Sequence, residues 1–502
     1  MSGAARLKQS LRTVLPEGFI VGGAVRDALL GRACKDIDLI CADKSVEKHA
    51  RALARALNGT AFVLDPDTGV YRVTCRGLDG FQLDLSPFQG SNFREDIFRR
   101  DFTVNALAVP VSAAAFSAAK GGFRLSFKSS ALIDLTGGAR DLKRGVLKAV
   151  KLKCFDDDPL RLLRAFRLSA ELGFSIDMAT RRAIKTRAGK IKNSAGERVQ
   201  EELLRFFACG GAADNIRLMD DCGLLTALFP ELDAQRKCAE VYYGKGGVLK
   251  HTRAVVRRME FLLENLGRIF PKYRKKISAA LPTPAMMKLT ALLHDVAKPA
   301  TAKKIDGRLR FFLHEDKGAD MSEKILRRLK FSLASIRLVK QLISGHLRPG
   351  NLASNGEITD RAVYRFFRDY GEHAVPLLLL CWADYASYIT LAQIEETMQE
   401  SRKPPFALGK KGLSQNGVKK TLRHLQLINH MFRLYFDFAP RISPPKLLTG
   451  HEIMKSLNIP PSRTIGRIME LIEIEQVEGR VKNRAQAEKF IASLDLKSLT
   501  DN

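Results

Sequence analysis

Two aspartates, Asp36 and Asp38, stand two residues apart in DIDLIC, a segment that reads as a β-strand. The strand period of two puts both carboxylates on one face. There they repel each other unless a cation lies between them, and a pair of Mg²⁺ ions suits such a site; the alternative is a solvated strand edge. Thirteen residues ahead of Asp36, Gly22-Gly23 lies between a strand-like Gly18–Val21 and a helix-like Ala24–Leu30. Glycines let backbone come close to a phosphate, and a helix N-terminus favours an anion. One feature suits a triphosphate and the other its metals. Asp84, on the next strand-like segment, is either a third carboxylate or an N-cap before Ser86-Pro87. Arg99-Arg100-Asp101 ahead of the apolar Phe102-Thr-Val reads as a phosphate clamp at a domain edge or as a surface charge cluster.

A second run, Asp157-Asp158-Pro-Leu-Arg161-Leu-Leu-Arg164-Ala-Phe-Arg167, predicts a helix over Asp158–Leu172. Asp158 and Arg161 are spaced i,i+3, so they share a face and can lock each other. Arg164 and Arg167 follow at three-residue steps. Arg181, Arg182, Lys185, Arg187, Lys190 and Lys192 come next, a solvated helix face or a set of phosphate contacts. Farther on, His251, His294-Asp295, His314, His346 and Asp384 are spread over helical segments. His294 and Asp295 can both ligate one ion where their helix ends, and imidazole with carboxylate suits Mn²⁺, Fe²⁺, Ni²⁺ or Mg²⁺.

The elements that must position these groups divide the chain. Strand-like and helix-like segments alternate over 18–150, with helix at Val46–Leu57 and strands at Tyr71–Cys75 and Phe81–Leu85, a Gly77/Gly80 turn between them. Val111–Ser130 reads as an insertion or a long hairpin. From Asp156 on, the pattern is helical, with Met178–Ala188, Glu197–Phe207 and a continuous series from Thr252 to Asp384. Ser401–Ser414, rich in Pro, Gly and Lys, reads as a linker, and a last helical module follows from about Lys446. The expected domains are 1–150, 151–235, 236–400 and 415–502. At 502 residues, 45% hydrophobic and 27% charged, the chain is globular with several domains.

Lys and Arg number 83 against 54 Asp and Glu, a net charge of +29 that argues for a polyanionic partner, nucleic acid first. The longest apolar stretch, Ala374–Ala383, contains Pro376 and is too short to span a bilayer. No secretion signal opens the sequence, and the eight cysteines form no CxxC pair. Reduced thiols in a cytoplasmic protein without membrane contact are the expectation. The oligomeric state is left open.

GGAVRDALLGRACKDIDL, FRRDFTVNALAV, DLTGGARDL, DDPLRLLRAFRLSAELGF and SAGERVQEELL occur in that order. They resemble the five ordered motifs of class II tRNA nucleotidyltransferases and bacterial poly(A) polymerases, in the polymerase-β-like superfamily. The histidine set His251, His294, Asp295, Asp384 resembles the HD metal-dependent phosphohydrolase domain, with His314 and His346 as extra ligands. The stretch LLTGHEIMK…PPSRTIGR…VEGR also resembles the tail of these enzymes and reads as a helical module that grips RNA backbone. The fold implied is an α/β polymerase-β-like head followed by an all-α neck, an HD domain and a helical tail.

The resemblance implies that Asp36 and Asp38 hold two Mg²⁺ ions; Asp84 is added to the expected catalytic set from its place on the next strand-like segment. Gly23 and Arg26 fall where the family touches nucleotide phosphates, and Arg100 matches the arginine of its second motif; Gly22 joins the expected nucleotide site from the glycine turn itself. Asp158 and Arg161 fall where it reads the Watson–Crick edge of C or A, and Arg164 and Arg167 where it reaches the triphosphate. The family motif opens with Glu where Asp157 stands here. The HD set implies a divalent transition metal or Mg²⁺, and either a retained phosphohydrolase or a relic domain that holds tRNA. The expected activity is template-independent addition of CCA, from CTP and ATP, to tRNA 3′ ends. The alternatives are a poly(A) polymerase, an A-only or CC-only tRNA enzyme, or an HD phosphohydrolase with an RNA-binding head.

Overall fold

Alternation along β2 (Asp36–Cys41) organises the head. Ile37, Leu39 and Cys41 are buried on one face, and Asp36 and Asp38 are turned to the other. The computed structural model describes residues 2–42, 45–75, 80–120, 122–354, 358–408, 417–438 and 444–496. It divides into two compact units, 1–211 with 215–228, and 212–214 with 229–502.

In the first unit a seven-stranded sheet runs in the order β3-β4-β5-β2-β1-β6-β9. The strands are β1 (Phe19–Val21), β2, β3 (Gly59–Asp65), β4 (Val70–Cys75), β5 (Gln82–Pro87), β6 (Leu107–Pro110) and, after a hairpin, β9 (Ile133–Asp134). β2 and β5 are parallel in a register that sets Asp38 beside Asp84. Leu7 and Leu11 of helix α1 (Gly3–Val14) and Leu53 of α3 (Val46–Ala56) pack with Ile37, Leu39 and Leu83. The opposite face carries a small cluster of Val21, Ile40, Ile97, Ala106 and Ala108, which leaves the Asp36 end of β2 uncovered. Val111–Ser130 holds a long hairpin, β7 (Ala115–Ala119) with β8 (Gly122–Ser126), as the sequence allowed. Helix α1 and the edge strand β3 were not expected. Phe62, Val63 and Leu64 of β3 are consecutive and largely exposed, so no period-two pattern marked the strand.

The helix predicted from Asp158 starts later. A short turn of helix, Cys154–Asp157, ends at Asp158, which is extended (φ −143°, ψ 100°), and the long helix α7 runs Leu160–Leu172. Pro159 explains the break, because the residue before a proline is driven out of the helical region. Gly173, with φ 73°, stops α7 in the left-handed conformation. Helix α9 (Gly196–Ala208) packs along α7.

Among the described residues the second unit is helical apart from a two-stranded hairpin, Lys303–Ile305 with Arg308–Arg310, which was also not expected. Helix Ala374–Ala386, the apolar stretch noted above, is buried at every position except Tyr385. Helices Gly247–Glu264, Pro284–Leu293 and Gly417–Asp437 pack against it. Leu448, Ile453, Ile468, Ile472 and Ile491 form a separate small core near the C-terminus. Among the described residues no helix is long and apolar enough to cross a membrane. Of the linker reading Ser401–Ser414, Ser401 ends the helix Leu391–Ser401 and residues 402–408 follow without regular structure, while 409–414, like the Gly77 side of the turn, lie outside the described residues. None of the eight cysteines, all of them among the described residues, is in a disulfide.

Candidate active site

The carboxylates of β2 and β5 lie on the floor of a cleft of about 740 Å³ within the first unit. Asp36, Asp38 and Asp84 share it with Gly22, Gly23, Arg26, Arg100, Asp158, Arg161, Arg164 and Arg167, whereas Arg99, the other arginine of the clamp reading, is exposed and does not line the cleft. Gly22 has φ 74°, and a Cβ there would stand 2.9 Å from Asp38 Oδ2. Any other residue is strained at this φ and crowds the carboxylate. Gly23 has no such requirement: its Cβ would make only ordinary contact with the Arg26 guanidinium.

Asp38 is at the open floor of the cleft, yet protein atoms surround it on the other sides. Its pKa is raised to about 6, first by lost hydration and then by the Asp36 and Asp84 carboxylates, against the pull of Arg100. Three acids crowded in this way, with hard oxygen donors facing an open cleft, fit a divalent cation. Asp84 is not an N-cap. It sits within β5, and Arg72 on the neighbouring strand donates from Nε (2.8 Å) and Nη2 (2.7 Å) to its two oxygens. Each Asp84 oxygen keeps a second lone pair.

Arginines dominate the cleft wall, and several are held by acids. Arg26, 6% exposed, donates to Asp27 Oδ1 (2.9 Å) and Asn105 Oδ1 (2.7 Å). Arg100 is held by Asp96 (Nε 3.1 Å, Nη2 3.0 Å). Arg164 bridges Asp101 (Nη2 2.9 Å) and Glu202 (Nη1 3.1 Å), and Arg167 Nε donates to Glu202 at 2.6 Å. Burial alone would raise the Asp101 pKa, but Arg164 more than offsets it and holds the carboxyl below its usual range. This network ties the motif around Arg100 to α7 and α9. Removing one partner of a buried ion pair costs about 3–5 kcal/mol, because the remaining charge stays uncompensated. Glu202→Ala is therefore expected to lower unfolding stability by about 3 kcal/mol, read by urea denaturation. An unchanged midpoint and slope would remove the network from the account.

Asp158 and Arg161 do not lock each other. Pro159 places Asp158 outside the helix, where its carboxylate accepts from Arg198 Nη2 (2.8 Å) and from the Leu160 backbone N–H (3.1 Å). Arg161 Nη1 donates to the Arg99 carbonyl at 2.9 Å. Each is held separately at the cleft. Arg72, Arg198 and Glu202 were missed; Arg198 and Glu202 fall in SAGERVQEELL, but nothing in the sequence pairs Arg72 with Asp84. Of the basic run, Arg187 and Lys190 pair with Asp156, while Arg182, Lys185 and Lys192 are exposed. Asp157 is exposed.

The second unit gathers the other set. His251 comes from helix Gly247–Glu264 and Asp384 from Ala374–Ala386, while His294 and Asp295 follow the end of Pro284–Leu293. His251 Nε2 is 3.3 Å from Asp295 Oδ2 and 3.2 Å from Asp384 Oδ1, and His294 Nε2 is 3.2 Å from Asp295 Oδ2. His314 and His346 join the cluster on the Asp295 Oδ1 side. His251 Nε2, His294 Nε2, His314 Nε2, both Asp295 oxygens and Asp384 Oδ1 are buried without a hydrogen-bond partner. Buried polar atoms are rarely left in that state, and converging ones fit a metal ion. Lys298 Nζ stands 2.6 Å from Asp295 Oδ2 as an ion pair without hydrogen-bond geometry. Burial pushes the His346 imidazole down to about 4, so its ring is neutral at pH 7. Tyr243 and Tyr388 stack on His251 and wall the cluster on one side.

Residues 18–148 match the Poly A polymerase head domain, 173–236 the probable RNA and SrmB-binding site of polymerase A, and 248–389 the HD domain. The chain is 30% identical over 488 residues to a CC-adding tRNA nucleotidyltransferase of Thermus thermophilus, spanning 95% of this chain and 93% of the relative. It is 29% identical over 483 residues to an A-adding tRNA nucleotidyltransferase of Deinococcus radiodurans, spanning 95% of each. Its fold is similar to that of a Thermotoga maritima CCA-adding enzyme solved in complex with tRNA, at TM-score 0.60 and 20% identity over 98% of this chain and 94% of that one. Head and HD domains of this kind imply dependence on divalent metal. The chain belongs to the tRNA nucleotidyltransferase family, with a Poly A polymerase head domain and an HD domain on one polypeptide.

Proposed function

We propose that the enzyme adds C, C and A to the 3′ end of tRNA from CTP and ATP, with no nucleic-acid template, in the cytoplasm. The observation that carries this reading is the single cleft that holds three carboxylates, Gly22 and a wall of arginines. Mg²⁺ held by Asp36 and Asp38 would neutralise triphosphate charge and favour the ionised primer hydroxyl. The residues do the rest. Arg72 fixes the orientation of Asp84 beside Asp38. Gly22 leaves the Asp38 oxygens accessible. Arg26 and Arg100, already aimed by Asn105 and Asp96, present guanidinium edges to phosphate oxygens, where a fork of donors binds best. Asp158 accepts from the exocyclic amine that cytosine and adenine share, and Arg161 donates to the ring acceptors beside it. Arg164 and Arg167 hold α7 and α9 in place and turn their remaining donors toward the triphosphate.

A CC-only activity is the second reading, favoured by the Thermus thermophilus relative that spans nearly the whole chain. A tRNA already ending in CC, supplied with ATP, separates the two. Incorporation of one AMP supports CCA addition, and none supports the CC-only enzyme.

Affinity for tRNA is expected to fall steeply with salt, because a protein of net charge +29 releases counterions from the phosphate backbone. A log–log plot of binding constant against salt with no slope would contradict an electrostatic RNA surface.

We further assign His251, His294, Asp295 and Asp384 to a divalent transition metal, as donors of a hydrolytic centre separate from the head. His294→Ala is expected to lower metal content and leave CMP incorporation into tRNA within about twofold of wild type, since the head cleft lies in the other unit. Loss of both together would show that the HD centre serves nucleotide addition.

A further inference from the structure

One aromatic ring of the head sheet belongs neither to the core nor to the cleft floor. Strand register gives its position. Val21 pairs with Asp38, Asp38 with Asp84, Asp84 with Arg72 and Arg72 with Phe62, across five neighbouring strands. Residues paired in this way turn their side chains to one face of a sheet, so Phe62 stands on the face that carries the catalytic carboxylates. Three strand spacings separate it from Asp38, about 14 Å in all. The alternate residues turn the other way: Ala61 and Tyr71 pack against the core under the helices, and Tyr71 donates to Glu47 of α3.

Phe62 is 47% exposed. Its neighbours on this face are polar. Arg72 is engaged by Asp84, and the Thr60 and Thr74 hydroxyls bond each other at 2.7 Å one step along. Val63 pairs with Tyr71 and so turns to the opposite face, and Leu64 falls in the irregularity that follows it. Phe62 is therefore a single ring among polar groups, not part of the broad apolar patch that a protein partner covers.

The direction of the reaction says what meets the ring. In-line displacement puts the attacking hydroxyl and the leaving pyrophosphate on opposite sides of the reacting phosphorus. Gly22, Gly23 and Arg26 follow β1, and Arg100 Nη1 would lie 3.5 Å from a Cβ at Gly22, so the phosphate-binding groups are on the β1 side of Asp38. The primer is left with the β5-β4-β3 side, where Phe62 stands. The incoming base is taken by Asp158 and Arg161, so the base that reaches Phe62 belongs to the primer strand. Cations for its backbone are at hand: Arg198 and Arg205 of α9 line the same cleft. Hydrogen bonds from Thr68 and Asp67 hold the Asp65 carboxyl low and the Arg198 charge adds to them, which places α9 within electrostatic reach of the end of β3.

An aromatic face beside cations is how single-stranded nucleic acid is gripped, whatever the base. Resting on the reading of the head as a tRNA nucleotidyltransferase, we propose that Phe62 is a stacking platform for a base of the tRNA 3′ strand, upstream of the primer terminus. Because stacking tolerates any base, one platform serves the primer as its end changes with each addition.

The test is a double-mutant cycle on the full-length chain. CMP addition is measured for wild type, Phe62→Ala, Phe62→Leu and Phe62→Trp. The primers are a tRNA lacking its last three nucleotides and three forms of it, each with one abasic residue among its last three positions. Phe62→Ala is expected to raise KM for the intact primer by about tenfold, with KM for CTP within about twofold and the thermal melt unchanged. Phe62→Leu, which keeps apolar bulk without a flat face, is expected to match it, and Phe62→Trp to bind as wild type does. One abasic primer is expected to lose the same factor with wild type and nothing further with Phe62→Ala. Losses that simply add for all three abasic primers overturn the platform, as does a wild-type KM in Phe62→Leu. So does a wild-type dimer by light scattering that turns monomeric in Phe62→Ala with primer KM unaltered, which assigns this edge to self-association. No CMP addition by the wild-type chain to the intact primer overturns the reading of the head and the platform with it.

Discussion

Asp38→Ala lowers the turnover of CMP addition by about 10³-fold or more, roughly 4 kcal/mol of transition-state stabilisation, with tRNA affinity unchanged within about twofold. The expectation rests on position. Asp38 lies in register between Val21 and Asp84 and beneath Gly22, and lost hydration first, then the Asp36 and Asp84 carboxylates, raises its pKa to about 6, a strain that a bound cation relieves. Removing it takes away a metal ligand, while the basic surface that meets RNA remains. Asp38→Asn keeps the shape and loses the charge, so it separates ligand loss from a packing defect. Single-turnover rates on one truncated tRNA, beside a filter-binding isotherm, give both quantities. Wild-type turnover in either variant would remove Asp38 from the chemistry.

The second large effect concerns choice of nucleotide. Arg161→Ala is expected to lower kcat/KM for CTP and ATP by about 10²-fold, and to shrink discrimination against UTP by about tenfold. Arg161 is tethered through Nη1 to the Arg99 carbonyl, which leaves its other donors for a base. Asp158 is held by Arg198 and faces the same cleft. A carboxylate accepts from the amine of cytosine or adenine and repels the carbonyl that uracil and guanine carry in its place. Sites built around such hydrogen bonds reject a mismatched group strongly, since it leaves buried polar atoms unpaired. If Arg161 serves only to brace the Arg99 loop, all four nucleotides slow by one factor. Four kcat/KM values on one primer decide between these outcomes, and an unchanged ratio with reduced rates contradicts the selecting role.

What could be read in the residues, and what could not, follows from the range of the forces involved. The Asp36/Asp38 pair was legible because strand period alone puts both on one face. Gly22 was legible as a glycine but not as a necessity, which comes from φ 74° and the nearby Asp38 oxygen. The mutual lock of Asp158 and Arg161 failed because helical spacing was assumed across Pro159, although a proline argues against helix at the residue before it. Arg72 against Asp84 depends on the pairing of β4 with β5, and cross-strand partners have no fixed spacing in sequence. The edge strand β3 escaped notice because its apolar residues do not alternate. In the HD cluster the residues that come together were legible, but their division into two trios, His251 with His294 and Asp384, and Asp295 with His314 and His346, is set only by the packing of five helices.

The most direct measurement is product length on a tRNA lacking its last three nucleotides, incubated with the enzyme, Mg²⁺ and CTP alone, ATP alone, or both. The account predicts two added residues with CTP, one more when ATP is present, no extension with UTP or GTP, and no product from Asp36→Ala or Asp38→Ala. Long adenylate tails of no fixed length, or extension that survives both aspartate substitutions, would contradict it.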